Sequence, residues 1–388
     1  MTGVRIAGTG HTHFGQFPER TGRDLFAEAS ATAIERAGVD RDAIEALFYG
    51  NFMAELAEDQ GHQGPLMAEM AGIRAPATRF ESACASSGVA VGEAVKNIRN
   101  GEADAILVGG TERMTNLGTA GATKALSIAA DELFEIRAGM NFPGAYALMA
   151  QAYFAEYGGD REDLAHIAVK NHENALENEY AQYQRAISIE DVLEAPPVAE
   201  PLGLYDACPI TDGASAIVLV SDEFAEDEGL DAPVSITGTG QGSDRMALAD
   251  REFLARTPAA TAAAEEAYAD AGISPEDVEV AEVHDCFTIA EVLAIESLGF
   301  FEPGEGIGAA RTGETARDGR IPINFSGGLK AKGHPVGATG TSQIIELAHI
   351  LSGQHVNSDA VSGAKIGLTH NAGGTVASTT VHVLEVAP

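Results

Sequence analysis

Apolar and polar positions along this chain fall into two copies of one pattern. Val4-Arg5-Ile6-Ala7-Gly8-Thr9-Gly10 is echoed by Val234-Ser235-Ile236-Thr237-Gly238-Thr239-Gly240, each a strand-like run closing on Gly-Thr-Gly. Residues 31–50 parallel residues 264–284: an alanine-rich helix, an Ala-Gly stop, an acidic turn, then a strand. The first copy continues with a strand at Thr78–Ser82, a small-residue helix at Cys84–Asn100 and a strand at Ala105–Gly109. The second continues with Ile321–Phe325, a glycine-rich loop holding His334, a helix at Gly337–Ser352 and a strand at Ala364–Leu368. Alternating elements of this kind predict a layered α/β fold with helices packed on sheets. Duplication predicts two halves, residues 1–230 and 231–388, related by a pseudo-twofold axis. Cys84 and His334 then stand at equivalent strand-to-helix junctions, where the halves meet.

Residues 111–200 fit neither copy. The segment mixes glycines with Met114, Met140, Phe142, Met149, Phe154 and several tyrosines, and helical periodicity is visible at Ala145–Tyr157 and Arg161–Glu179. An insertion of this length between sheet elements is expected to line or cap a binding site.

Charge changes the picture next. Acidic residues outnumber basic ones 58 to 24, for a formal net charge of −34 spread along the chain. A surface so acidic repels nucleic acid and anionic lipid, so neither is an expected partner. Its self-repulsion is screened at high salt, which points to a halophilic cytoplasm, with an acidic mesophilic enzyme as the alternative. The chain starts directly on a strand-like run and holds no membrane-length apolar stretch, so a cytoplasmic location without a leader is expected. Three cysteines, Cys84, Cys208 and Cys286, are too scattered for a disulfide framework or a zinc site, and no resident metal is expected. Gly8-Thr9-Gly10 lacks the third glycine of a dinucleotide loop.

Cys84 lies in Glu81-Ser82-Ala83-Cys84-Ala85-Ser86-Ser87-Gly88. A thiol at a helix start faces unpaired N–H groups and the positive end of the dipole, and a lowered pKa is expected. The small residues around it leave space for a substrate. His334 sits in Gly333-His334-Pro335-Val336-Gly337-Ala338-Thr339-Gly340, and a base within reach of the thiol is what nucleophilic catalysis requires. His284-Asp285-Cys286-Phe287 offers a second imidazole and a second thiol. Cys208 reads as structural, His172 as lying on a charged helix face, and Asp285 and Asp212 as orienting loops.

These motifs carry a resemblance. Ser82 to Gly88, Gly109-Gly110-Thr111-Glu112-Arg113-Met114, Cys208 to Ala216, His284 to Phe287, Asn324 to Gly340 and His370-Asn371-Ala372-Gly373-Gly374 occur in the order found in thiolases. The chain resembles that family over nearly its whole length, in the branch of archaeal and sterol-carrier-protein-type enzymes. The resemblance implies the thiolase fold, five layers α-β-α-β-α with a loop domain at about 111–200. It implies Claisen condensation of two acyl-CoA molecules, or thiolysis of a 3-oxoacyl-CoA, with coenzyme A thioesters as substrates and no further cofactor. Cys84 is then the nucleophile, His334 its base, and His284 a donor to the enolate oxygen. The N–H of Cys84 and one from the Ala372–Gly373 turn would form a second oxyanion hole.

Many thiolases carry a further cysteine near the C-terminus, where this chain has His370-Asn371, so Cys286 takes the acid/base role with His370 in support. Gly373, Gly374, Asn324 and Met114 are the expected substrate-binding residues. A homodimer or homotetramer is implied, with a small OB-fold zinc-ribbon partner and HMG-CoA synthase as possible associates, since CoA phosphates find few cations in the inserted segment. A decarboxylating ketosynthase uses the same Cys-His-His set, and a noncatalytic acyl-CoA-binding scaffold would keep the fold. An HMG-CoA synthase fits less well, because its glutamate base has no obvious counterpart.

Overall fold

The computed structural model describes residues 2–387. Eleven strands run in chain order: β1 (Val4–His11), β2 (Ala46–Gly50), β3 (Ala77–Phe80), β4 (Ala105–Glu112), β5 (Pro197–Ala199), β6 (Leu202–Gly203), β7 (Gly213–Ser221), β8 (Val234–Ser243), β9 (Val280–Glu282), β10 (Ile366–Gly373) and β11 (Ser378–Val386). Nine form one mixed sheet in the order β3-β2-β4-β7-β1-β8-β11-β10-β9, and β5 and β6 make a separate small hairpin.

The order of the large sheet reads the same from its centre outward on both sides. β1 pairs antiparallel with β7 and β8 with β11, while β2 pairs parallel with β4 and β9 with β10. In the sheet, among the described residues, the halves join through one residue pair, Arg5 opposite Ser235. The predicted strand at Ile321–Phe325 is reduced to one bridge between Ile323 and Ala281. Asn324 ends it by turning into the left-handed region at φ 59°, where its carboxamide oxygen takes the Val283 N–H and its amide donates to Glu291.

Strands buried on both faces read as continuous apolar runs, and β4 and β7 are buried at every residue. Helix Gly22–Ala37 and helix Gln63–Ala71 bury Leu25, Phe26, Ala29 and Met67 against one face of the first half. Helix Ser86–Arg99 and helix Thr339–Leu351 lie between the halves, with Val91, Val95, Ile344 and Leu347 packed on Ile6, Val108, Ile236 and Leu384. Helix Pro258–Ala271 and helix Thr288–Ser297 cover the far face. Helices and sheet halves therefore alternate in the five expected layers.

The two middle helices meet at glycines. A Cβ on Gly340 would stand 2.4 Å from the Gly88 nitrogen, and one on Gly110 would stand 1.9 Å from the Gly337 carbonyl oxygen. No side chain fits at either place, and this close approach brings the Cys84 and His334 loops together.

In the inserted segment, helix Phe142–Tyr157 starts with Pro143 in its first turn, capped by the Asn141 side chain on the Gly144 N–H. Helix Arg161–Asn174 stops five residues before the predicted end at Glu179. Asn178 stops it there by donating to the Ser326 carbonyl while its oxygen takes the Tyr180 N–H.

Candidate active site

Cys84 follows Ala83, whose φ of 49° is unusual for a residue with a Cβ. That turn swings the chain from β3 into helix Ser86–Arg99 and presents the half-buried thiol to a cavity of about 350 Å³. Met114, Phe142, Tyr146, Cys208, Cys286, Phe287, His334 and Gly374 share its walls. Donor atoms of Cys84, His284 and His334 lie within 4.8 Å of one another, and the two imidazole rings stand edge to face at 4.9 Å.

The ring tautomers follow from the hydrogen bonds. The Thr339 hydroxyl donates its one proton to the Pro335 carbonyl at 2.9 Å, so it must accept from His334 Nδ1–H at 2.7 Å. His334 Nε2 is left as an acceptor. On His284, Nδ1 faces the Asn371 amide nitrogen at 3.2 Å and accepts from it. Its Nε2 then carries the proton and finds no partner, although the ring is buried. One imidazole thus offers a base beside the sulfur, and the other an unsatisfied donor. A buried donor without a partner costs free energy unless a ligand supplies one.

Burial decides the charge states. It pushes the Cys84 thiol up to about 12, against hydrogen bonds from the Gly374 and Cys84 N–H groups to the sulfur. The lowered pKa expected from the helix start is therefore overturned: loss of solvent outweighs the N–H groups and the dipole. Burial also lowers His334 to about 3 and holds His284 well below its ordinary value, with His334 and His370 adding to the effect. The resting pair is a neutral thiol beside a neutral imidazole.

Other sequence-predicted residues separate into two groups. Met114 and Gly374 reach the cavity, and so does Cys286, whose thiol burial holds well above the ordinary range. Asn324, Gly373, His370 and His284 do not line it, although the His284 ring stands within 4.8 Å of the Cys84 and His334 donor atoms just behind the wall. Asn324 is fully buried and spends its carboxamide on Val283 and Glu291, so it supports the His284 strand and cannot meet a ligand. Gly373 packs on the Ser82 carbonyl, and Gly374 supplies the N–H that the Ala372–Gly373 turn was expected to give. His370 lies behind His284, its Nδ1 accepting the His284 N–H at 3.4 Å.

Asp285 accepts from Leu329 N–H, Lys330 N–H and Asn171, and Asp212 from Phe17, Met114 and Thr115; both orient loops as expected. His172 is buried, its Nδ1 facing the Arg185 carbonyl, and does not lie on a charged face. Cys208 lines the cavity, and its N–H pairs with the Cys286 carbonyl at 2.9 Å.

Sequence reasoning missed four supporting residues. Thr339 and Asn371 fix the two imidazoles and stand within five residues of predicted site residues, a signal that was available. Glu112 crosses the halves, taking the N–H groups of Phe52, Met53 and Gly337. Tyr146 lines the cavity from the inserted segment, and no local pattern marks it.

Comparison with known proteins agrees with this geometry. The thiolase N-terminal domain family matches residues 4–223, and the thiolase C-terminal domain-like family residues 240–386. The chain is 42% identical over 384 residues to an acetyl-CoA acetyltransferase of Methanothermobacter thermautotrophicus, covering 99% of each chain. It is 30% identical to sterol carrier protein 2 of Oryctolagus cuniculus, covering 95% of this chain and 70% of that one. A chain of the solved Ltp2-ChsH2(DUF35) aldolase superposes with a TM-score of 0.85 at 27% identity, over 99% of this chain and 98% of the other. A half-buried thiol, two oriented imidazoles and a second thiol, set between the halves of a duplicated sheet, belong to a chain that is a member of the thiolase family and an acyltransferase of thiolase type.

Proposed function

We propose that the chain is an acetyl-CoA C-acetyltransferase working through an acyl-Cys84 intermediate, in condensation or thiolysis. The observation that carries this reading is the Cys84–His284–His334 cluster within 4.8 Å, with Cys286 on the same cavity wall. His334 Nε2 takes the Cys84 proton as the sulfur attacks the thioester carbon. Gly374 N–H and Cys84 N–H, which meet the sulfur in the free enzyme, receive the developing oxyanion. Cys286 protonates the departing CoA thiolate and then removes an α-proton from the second acyl-CoA. His284 Nε2–H meets the enolate oxygen, which supplies its missing partner. Attack of the enolate on acyl-Cys84 releases the 3-oxoacyl-CoA, and His334 returns its proton to the sulfur.

The Cys-His-His set also suits a decarboxylating ketosynthase, but that chemistry generates its carbanion without an acid/base thiol and leaves Cys286 without a task. The two domains 1–230 and 231–388, a homodimeric or homotetrameric core, and a halophilic, cytoplasmic setting complete the reading. A small OB-fold zinc-ribbon partner is included because a relative's structure pairs an Ltp2 chain with a DUF35 protein.

The test is acyl trapping. After mixing with acetyl-CoA, mass spectrometry should find one acetyl group on Cys84, absent in Cys84→Ser, whose turnover falls by about 10⁴-fold or more. Acetylation elsewhere, or turnover of malonyl-CoA only, would overturn the reading. Full activity and tight CoA binding by the chain alone would remove the partner.

A further inference from the structure

Tyr146 is buried, reaches the cavity from helix Phe142–Tyr157, and stacks on Phe287 with ring centroids 4.7 Å apart. Its hydroxyl donates to the Gly374 carbonyl at 3.0 Å, and Tyr146 and Cys286 belong to one packed cluster and line the same cavity. Those neighbours belong to two different chemical events. Gly374 N–H faces the Cys84 sulfur, and Cys286 is the second thiol on the cavity wall.

The acid/base role of Cys286 carries an electrostatic problem. Once it has protonated the departing CoA, it must persist as a thiolate until the next acyl-CoA offers an α-proton. Its surroundings are apolar: Tyr146, Phe287, Ile289, Leu329 and Ala207 belong to the same packed cluster. Burial there disfavours the charge, and Cys208 and Cys84 add to the penalty. A hydrogen bond donated to the anion is what such a site needs.

We propose that the Tyr146 hydroxyl is a switching donor that stabilises the Cys286 thiolate, and is thereby a catalytic residue of this enzyme. In the resting state Tyr146 O–H bonds the Gly374 carbonyl, and Cys286 is a neutral thiol on the same cavity wall. When the Cys286 proton moves to the departing CoA sulfur, the S–H bond breaks and the electron pair stays on Cys286. Tyr146 O–H then rotates from Gly374 to the thiolate and keeps its own proton. Transfer of the α-proton to Cys286 restores the first arrangement, so one proton enters and one leaves the thiol in each cycle. Sulfur and oxyanion donor are thus coupled through one hydroxyl.

The inference rests on the acetyl-transfer reading, and the test separates the two. Tyr146→Phe removes one oxygen and keeps the ring that packs on Phe287. Acetylation of Cys84 by acetyl-CoA, which forms the Cys286 thiolate as CoA departs, should slow by about 10-fold or more, whereas acetylation by an aryl thioester, whose acidic thiol leaves unprotonated, should stay within about threefold of wild type. Deuterium exchange into the acetyl-CoA methyl group should fall by about 10- to 100-fold, the worth of a hydrogen bond to a buried charge. In a Cys84→Ser background, the pH at which Cys286 is half-alkylated by iodoacetamide should rise by about one unit or more when Tyr146→Phe is added.

Equal losses with acetyl-CoA and with the aryl thioester would show that the hydroxyl acts through Gly374 alone and would overturn the proposal. So would an unmoved alkylation midpoint, or exchange at the wild-type rate. Failure of the wild-type enzyme to acetylate Cys84 would instead sink the parent reading.

Discussion

The loops bearing Cys84 and His334 occupy corresponding places in the two halves of the sheet, yet their surroundings are opposite in kind. Around Cys84 the neighbours are Met53, Ala83, Met114, Leu126, Phe142 and Val336, an apolar shell with the cavity opening over the sulfur. The segments holding the imidazoles are backed by buried charge. Lys332 pairs with Glu346 at 3.4 Å and donates to Ser342, while Glu346 also meets His355. Behind His284, Lys170 pairs with Glu291 at 2.5 Å, and Glu291 further accepts from Asn171 and Asn324. Glu282 takes both the N–H and the hydroxyl of Ser326.

One scaffold thus serves two demands. On the proposed mechanism the Cys84 sulfur must be reachable and must change its bonding during the cycle, and hydrogen bonds of Ser82, Ala83 and Ser86 hold the loop around it while apolar side chains surround the thiol. The imidazoles must keep one tautomer and one orientation, and buried networks supply that at the cost of desolvating charges.

Breaking this contrast is straightforward, and the largest effect expected is on stability against pH. His334 and His370 are held at about 3 and about 4 by burial, and His284 well below its ordinary value, whereas all three titrate near 6.5 when unfolded. Below that pH the unfolded chain binds protons that the native site refuses, so stability is lost as pH falls from about 6.5 toward 4. Glu112, raised to about 7 by burial, works in the opposite sense and weakens the fold as pH rises through that value. Urea unfolding at a series of pH values should show the acid-side loss, with a shallower slope in His334→Gln. A slope unchanged by that substitution would mean the imidazole is not kept neutral.

Next comes the buried pair. Lys332→Met leaves Glu346 short of a partner and should cost about 3–5 kcal/mol. Cys84→Ala, on the apolar side, should shift stability by less than about 1 kcal/mol while ending acyl transfer. Comparable unfolding free energies for the two variants would erase the contrast.

His284→Ala sharpens it further, by removing the unsatisfied Nε2–H donor. Condensation should slow by about 10²–10³-fold with Cys84 acetylation far less affected. An equal loss in both steps would place the donor on the acyl-enzyme oxygen instead.

The smallest effect expected is at Ala83, whose left-handed φ of 49° stores strain in the nucleophile loop. Ala83→Gly should raise stability by no more than about 1 kcal/mol, since relief of strain is offset by the entropy of a glycine in the unfolded chain. A clear destabilisation in thermal melts would count against strain at this turn.

What the sequence determined by itself was whatever short-range pattern encodes. The repeat at Val4 and Val234, the apolar runs of β4 and β7, and the Ala-Gly helix stops at residues 37–38 and 271–272 dictate layered α/β halves. Glycine-rich, histidine-bearing and cysteine-bearing motifs likewise marked Cys84, His284, Cys286 and His334. Tertiary structure decided everything that depends on burial and on partners distant in the chain. It raised the Cys84 pKa where local reasoning lowered it, because desolvation is a property of the surrounding layers. Asn324, Gly373 and His370 were withdrawn from the cavity while the expected Gly374 stayed in it, since which face of a strand end meets a ligand depends on packing against partners distant in the chain. Tyr146 came in from the insertion, whose helices are laid down by contacts with Phe287 and Gly374 and carry no motif of their own.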